Sequence, residues 1–226
     1  MNTKANSQPA KHSCLNKVPI FNKLSSPEAV ELASIIRPAK YQKGEIVQLA
    51  GDTHRKLLVL NKGSAKIART SPDGREQILR LLEAGDFTGE LAVFTNQPAG
   101  NDIIALEDST FCTIDGQALT KLMSANSGLV LTFVKELSHR LEDSEQKIES
   151  IGLLTAEQRL AEALLNLAAG RREFTLPVSK KDLAAQIGMA PETLSRRLAQ
   201  WERTGAIKLQ GQRGVKITSA TYLQKK

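Results

Sequence analysis

The sequence has few residues of the types that build metal centres or disulfide frameworks, because its 226 residues include only two cysteines and three histidines. Cys14 and Cys112 lie almost a hundred positions apart, which excludes a disulfide-rich scaffold and indicates thiols in a reducing compartment. No apolar run approaches the roughly 18 residues that span a bilayer, and the polar first eleven residues lack a signal-peptide core. We therefore expect a cytoplasmic protein without a membrane partner.

Aromatic residues are also scarce, at 4%, but apolar residues reach 41% and charged residues 24%. These are the proportions of a globular protein, and they exclude collagen-like and disordered chains. The length of 226 residues is about one and a half typical domains, so it favours two domains over one.

The net charge of +7 is confined to one part of the chain. Residues 155–226 carry 13 Lys and Arg against 6 Asp and Glu, whereas 1–154 carry 18 of each sign. A neutral body with a basic terminal module is typical of a protein in which one domain senses or dimerises and the other binds a polyanion. A merely basic surface would give the same count.

Short strands dominate the first half of the chain after a helix that Ser26 can cap and Pro27 can start. Turn signals such as Pro72-Asp73-Gly74 separate the strands at regular short intervals. This pattern predicts an antiparallel β-roll. The predicted strands are 45–47, 57–60, 65–68, 77–81, 103–106 and 110–114.

From about residue 118 the apolar period becomes helical, and a stripe of residues follows steps of four and three, interrupted only by Ser144. This heptad spacing predicts a seam that pairs with a second copy in a parallel dimer. The alternative is that the stripe packs on its own β-roll. The seam residues are Val130, Val134, Leu137, Leu141, Ile148 and Ile151.

The basic C-terminal part predicts a helix over 156–168 and then two helices joined by a tight turn. Ser179 caps the first of the two, which stops at Gly188, and Pro191 starts the second. Two helices joined by a short turn that contains Gly form the unit that places its second helix in the DNA major groove.

The second helix of this unit has two faces. Its polar face carries Arg196, which can donate two hydrogen bonds to guanine, Glu192, which can accept from cytosine, and Ser195, which can bond to several base edges. The alternative is a solvated face with an ordinary Glu–Arg pair at i, i+4. We predict Glu192, Ser195 and Arg196 as base-reading residues.

Phosphate contacts supply affinity without sequence information. The strands predicted beyond Gly205 form a hairpin with a cationic tip, which suits a wing that contacts the DNA backbone. The predicted phosphate-contacting residues are Lys180, Lys181, Thr193, Arg197 and Arg213.

Two stretches carry a resemblance to a known family: GELAVF at 89–94 and DLAAQIGMAPETLSRRLAQWERTGAI at 182–207. Over residues 24–223 the chain resembles the Crp/Fnr family of bacterial transcription regulators. The resemblance implies an α+β protein: an arm at 1–26, a cyclic-nucleotide-binding-type β-roll (jelly roll) at 27–117, a dimerisation helix at 118–152 and a winged helix-turn-helix at 153–226.

Function follows from the same resemblance. It implies a homodimer that binds double-stranded DNA at a two-fold site close to TTGAT-N4-ATCAA, with RNA polymerase as a further partner. In similar regulators the loop equivalent to 72–76 touches the sigma subunit; Arg75 stands where an acidic residue is expected, and a plain turn is the alternative.

The resemblance also allows two cofactors to be judged. Cyclic-nucleotide binders of the family hold the ribose with a Gly-Glu-Leu turn, present here from Gly89, and the phosphate with an Arg-Ser/Thr pair about eleven residues later. Here Gly100, Asn101 and Asp102 stand at that point, so a buried phosphate would lack a cation. We predict no cyclic AMP binding and interpret Glu90 as a structural turn residue.

Iron–sulfur members of the family need four thiolates for a four-iron cluster, and this chain has two. Cys14 and Cys112 fall in the two regions that supply cluster ligands in relatives. This resembles the Flp branch of Gram-positive bacteria and implies a Cys14–Cys112 thiol–disulfide switch. The alternatives are two cysteines without a sensing role, or a metal site that adds His12.

Other uses of the β-roll stay open. A regulator of this fold could bind a different small ligand, a metal or haem there. An enzyme of the double-stranded β-roll type would need a cluster of His and carboxylate ligands, whereas the barrel offers only His54. We therefore predict no enzymatic activity and no metal site, and we expect His54 and His139 to be structural or solvated.

Overall fold

The computed structural model describes residues 18–21 and 24–225. They fall into two compact units: the residues up to Arg69 with Leu79–Arg140, and Thr70–Ile78 with Leu141 onwards. All six strands predicted in the first half form. Two more strands and a short helix were not predicted.

The first unit is built on two four-stranded antiparallel sheets, β1-β8-β3-β6 and β2-β7-β4-β5. The strand β8 pairs with β1 on one side and β3 on the other. The strands are β1 (Arg37–Tyr41), β2 (Ile46–Gln48), β3 (Lys56–Lys62), β4 (Ala65–Thr70), β5 (Glu76–Leu82), β6 (Phe87–Thr88), β7 (Asp102–Ala105) and β8 (Ser109–Asp115).

Four helices accompany these strands: α1 (Ser26–Ile35), α2 (Glu90–Thr95), α3 (Gly116–Ala125) and α4 (Ser127–Leu153). The helical stretch expected over 118–152 is therefore two helices that meet at Asn126. Leu129 and Phe133 of α4 are buried in the same core as Leu57, because one face of this helix packs on the β-roll.

Of the arm predicted at 1–26, the structure describes residues 18–21 and 24–26, and these do not behave as a free segment. Pro19–Phe21 forms a short 3-10 turn, and Val18, Ile20 and Phe21 are buried in the core beside Leu32. The helix α1 is capped by Ser25 rather than by Ser26. Glu28 completes a capping box there, since its carboxylate accepts a hydrogen bond from the Ser25 backbone N–H at 2.8 Å.

The second unit contains the small antiparallel sheet β10-β11-β9 and four short helices. Trp201, the only tryptophan, is fully buried in it. The helices predicted from 156 and from 191 have the predicted bounds. The elements are α5 (Ala156–Ala168), β9 (Glu173–Thr175), α6 (Lys180–Gln186), α7 (Pro191–Arg203), β10 (Ile207–Gln210), β11 (Gly214–Ile217) and α8 (Ala220–Gln224).

Candidate nucleic-acid interface

The helices α6 and α7 form a helix-turn-helix whose two ends are set by local chemistry. Ser179 caps α6, because its hydroxyl accepts a hydrogen bond from the Asp182 backbone N–H at 3.1 Å. Gly188 follows the end of α6 with φ +64°, a left-handed conformation that favours glycine. Pro191 then lies in the first turn of α7, where its missing N–H costs nothing.

The helix α7 has one buried face and one exposed face. Leu194, Leu198 and Trp201 are buried, and they recur at the i, i+4, i+7 spacing of a helix stripe. Glu192, Ser195 and Arg196, the predicted base-reading residues, are all exposed. Most of the hydrogen-bonding groups on this face therefore point to solvent, although Arg196 Nη2 also donates to Thr193 Oγ1 at 3.3 Å.

The predicted phosphate-contacting residues differ in how firmly they are held. Arg197 Nη1 donates to Gln200 at 2.8 Å and lies 3.3 Å from the Glu157 carboxylate on α5. A guanidinium has five N–H donors, so these bonds leave capacity for a phosphate. Lys181 is exposed, whereas Lys180 and Thr193 are half-buried.

The wing is the hairpin β10–β11, paired from Ile207↔Ile217 to Gln210↔Gly214. Its tip is exposed and includes Arg213, whose Nη1 donates to the Pro177 carbonyl at 3.4 Å. This contact holds the arginine at the edge of the wing, where a cation suits a DNA backbone.

The predicted dimer seam stays largely exposed in the single chain. Ile148 is 71% exposed and Leu141 61%, although both are large apolar residues. The buried residues of α4, Leu129 and Phe133, lie on a different face from the seam.

A small cavity of about 70 Å³ lies in the β-roll, lined in part by Gln48, Glu90, Gly100 and Asn101. Glu90 Oε2 and Asn101 Oδ1 are buried and have no hydrogen-bond partner among the described residues. Two buried acceptors without donors favour an occupant that donates hydrogen bonds, such as water or a cationic group.

Glu90 is not a turn residue: it begins α2, and its carboxylate lies 3.6 Å from Arg140 on α4. Arg140 also donates to Glu136 at 2.9 Å and stacks 3.8 Å from the Phe87 ring centroid. Burial, and then the charge of Arg140, lower the pKa of Arg80 nearby. Sequence reasoning missed this cluster because its members have no common spacing.

Cys112 is fully buried on β8 and takes part in a disulfide bond. Cys14 and His12 lie outside the described residues. His54 is exposed, with its ring Nδ1 2.5 Å from Asp52. Across residues 18–21 and 24–225 no group of three or more His, Cys, Asp or Glu could hold a metal ion.

The loop between β4 and β5 forms an exposed turn in which Arg75 Nε donates to Asp73 at 2.7 Å. The Ser71 and Arg75 hydrogen bonds place the pKa of Asp73 below its ordinary value. Within the described part of the chain, no helix is long and apolar enough to cross a membrane.

Two family models match the chain: the cyclic nucleotide-binding domain over 38–126 and the Crp-like helix-turn-helix domain over 158–226. The chain is 28% identical to the transcriptional regulator Flp of Lacticaseibacillus casei, covering 94% of this chain and 97% of that one. It is 29% identical to the regulatory protein HlyX of Actinobacillus pleuropneumoniae, covering 83% and 81%.

Solved structures show the same fold. The regulator CLP of Xanthomonas campestris superposes with a TM-score of 0.76 at 21% identity, covering 85% of this chain and 99% of that one. FixK2 of Bradyrhizobium japonicum gives a TM-score of 0.71 at 21% identity, covering 84% and 96%. These likenesses show the fold alone.

Proposed function

Because the chain belongs to the Crp/Fnr family of transcription regulators, which are not enzymes, we propose that it is a homodimer that reads a palindrome close to TTGAT-N4-ATCAA. The observation that carries this proposal is the joint exposure of Glu192, Ser195 and Arg196 on one face of α7. Leu194, Leu198 and Trp201 bury the opposite face, so the helix can present its polar face to a groove.

Each base-reading residue has a chemical role. Arg196 donates two parallel hydrogen bonds to O6 and N7 of the guanine in each half-site. Glu192, one turn earlier, accepts from a cytosine amino group, and Ser195 bonds to a neighbouring base edge. The phosphate contacts of Lys180, Lys181, Thr193, Arg197 and Arg213 set the register.

The exposed seam of α4 supports the dimer. Burial of an apolar side chain of this size contributes about 1.5–3 kcal/mol, so pairing two seams gives a large favourable term. A parallel pair also relates the two α7 helices by a two-fold axis, which matches the symmetry of a palindromic site.

A thiol–disulfide switch is the proposed sensing chemistry. Cys112 lies fully buried on β8, and the sequence contains one other cysteine, Cys14. Forming a Cys14–Cys112 bond releases two protons and two electrons, which an external disulfide or peroxide accepts. The bond would tie the first residues of the chain to β8 and so change the contacts of the arm.

The effector could instead be a small ligand in the β-roll, since the cavity has two buried acceptors without donors. Its volume of about 70 Å³ is well below the roughly 300 Å³ at which small-molecule sites begin. Glu90, the residue expected at a ribose, lies against Arg140 instead. We therefore propose that cyclic AMP is not a cofactor. Because the two cysteines cannot supply four thiolates, we propose the same for an iron–sulfur cluster.

RNA polymerase is proposed as the partner at the promoter. The exposed turn that holds Arg75 against Asp73 is available on the surface for such a contact. Residues 72–76 carry Asp73 and Glu76 against Arg75, so the segment keeps a net negative charge.

The test measures fluorescence anisotropy on a TTGAT-N4-ATCAA duplex with the protein reduced and then oxidised. We expect tight binding in one redox state and at least about tenfold weaker binding in the other. Cys14→Ser and Cys112→Ser, alone and together, should abolish the difference. If DNA binding by the double variant still responds to oxidant, the proposed Cys14–Cys112 switch is wrong. If the protein in neither redox state binds the palindrome more tightly than a scrambled duplex, the proposed recognition of this sequence by α7 is wrong.

A further inference from the structure

Arg159, near the start of α5, contacts the ends of two other helices at once. Its Nη1 donates to the Leu154 carbonyl at 2.8 Å, and its Nε donates to the Ile187 carbonyl at 2.8 Å. Its Nη2 also reaches the Gly188 carbonyl at 3.3 Å. One guanidinium therefore joins the residue after α4 to the turn of the helix-turn-helix.

These carbonyls are the groups that a helix leaves without an internal partner at its C-terminal end. Leu154 closes α4 through its N–H to Ser150 at 3.0 Å, and Ile187 closes α6 through its N–H to Leu183 at 3.1 Å. Helix C-termini carry partial negative charge, so a cation shared between two of them stabilises both. Bonds from an ionised donor are also stronger than neutral ones.

We propose that Arg159 is a positioning residue for DNA recognition: it fixes the turn before α7 relative to the end of the helix that carries the dimer seam. Leu141, Ile148 and Ile151 lie on that part of α4. In a dimer, the separation of the two α7 helices then depends on the Arg159 contacts. This inference rests on the proposed homodimer.

Arg159 does not act by reading DNA itself. It is half-buried, and three backbone carbonyls engage all three of its nitrogens, unlike the exposed Arg196. Loss of Arg159 should leave the α7 helix of each subunit folded but remove the preset distance between the two α7 helices of the dimer.

The test compares Arg159→Ala and Arg159→Lys with Arg171→Ala as the matched control, because Arg171 also donates to a backbone carbonyl, that of Ala168, at 3.3 Å. Affinities are measured on a single half-site and on palindromes with three, four or five central base pairs. Lysine retains the charge but, as a compact single cation, cannot make the same forked set of bonds.

Wild type should bind the palindrome with four central base pairs more tightly than the single half-site, because the spacing of its two α7 helices is preset. We expect both Arg159 variants to reduce this ratio of affinities at least about tenfold. Their half-site affinity and the emission of the buried Trp201 should match wild type. The Arg171 variant should behave as wild type. Equal losses on half-site and palindrome, or no loss, would overturn the proposal.

A second readout needs no DNA. Backbone amide exchange at Leu154 and at Met189, which bonds to Ala184 at 2.9 Å, should accelerate together in Arg159→Lys, with the amides of α7 unchanged. Faster exchange at only one of these two amides would contradict the proposal that Arg159 links the end of α4 to the turn before α7. If wild type shows no advantage of palindrome over half-site, the homodimeric reader fails, and the exchange data still decide the role of Arg159.

Discussion

The carboxylate of Glu157 on α5 lies 3.3 Å from the guanidinium of Arg197 on α7. The same carboxylate accepts a hydrogen bond from the indole N–H of the buried Trp201, also at 3.3 Å. One acidic side chain thus holds both a proposed phosphate contact and the largest buried residue of the recognition helix. The orientation of α7 depends on α5 through this residue.

Two substitutions of Glu157 separate these contacts. Glu157→Gln keeps an acceptor oxygen for Trp201 and loses the ion pair, which is partly exposed and so contributes at most about 1 kcal/mol. Glu157→Ala also leaves the indole N–H without this acceptor, which costs about 1–3 kcal/mol. Urea unfolding followed by Trp201 fluorescence measures both. Equal destabilisation by the two variants would contradict the role of the indole bond.

Acidic substitution in the seam should dissociate the dimer. Leu141→Glu or Ile148→Glu would place carboxylates face to face between two α4 helices, where burial of charge is unfavourable. Light scattering should then report a monomer. The control is Leu153→Glu, because Leu153 is 74% exposed and lies off the seam. A monomeric Leu153→Glu, or a dimeric Ile148→Glu, would refute the assignment.

Arg213 should contribute affinity without specificity. Arg213→Ala is expected to weaken binding to all duplexes alike and to reduce the slope of log K against log salt by about one. Gln212→Ala, a neutral neighbour at the same exposed tip, should leave the slope unchanged. A sequence-dependent loss in Arg213→Ala would indicate a base contact instead of a backbone contact.

Glu28 makes the start of α1 sensitive to acid. Hydrogen bonds from Ser25, first from its side chain and then from its backbone, and one from Asn126 lower the pKa of Glu28 below its ordinary value. A depressed folded-state pKa adds stability above the unfolded pKa, and that stability is lost as the pH falls through the folded value. Circular dichroism should therefore show a flatter acid dependence for Glu28→Gln than for wild type.

Periodicity predicted most of the architecture because it depends on local sequence. The six predicted strands formed, and α5 and α7 begin and end where the apolar spacing and Pro191 place them. The strand β1 was missed because it contains Pro38 and polar residues. It lies at the edge of its sheet, where proline is tolerated.

The contacts that organise the second unit could not be predicted from spacing. Arg159 meets Ile187 and Glu157 meets Trp201 across 28 and 44 residues, so no local pattern links them. The buried residues at the start of the described chain had a sequence signal, since Val18, Ile20 and Phe21 form a short apolar cluster. The exposed polar face of α7 was predictable because all of its residues lie on one helix and follow one helical period.

The central claim, that α7 reads bases through Arg196, is tested most directly by a cycle of two proteins and two duplexes. Wild type and Arg196→Ala are titrated with TTGAT-N4-ATCAA and with the duplex in which adenine replaces the guanine of each half-site. We predict that wild type loses about 1–3 kcal/mol per half-site on the altered duplex, whereas Arg196→Ala binds the two duplexes nearly equally. If Arg196→Ala weakens both duplexes by the same factor, Arg196 does not read the guanine.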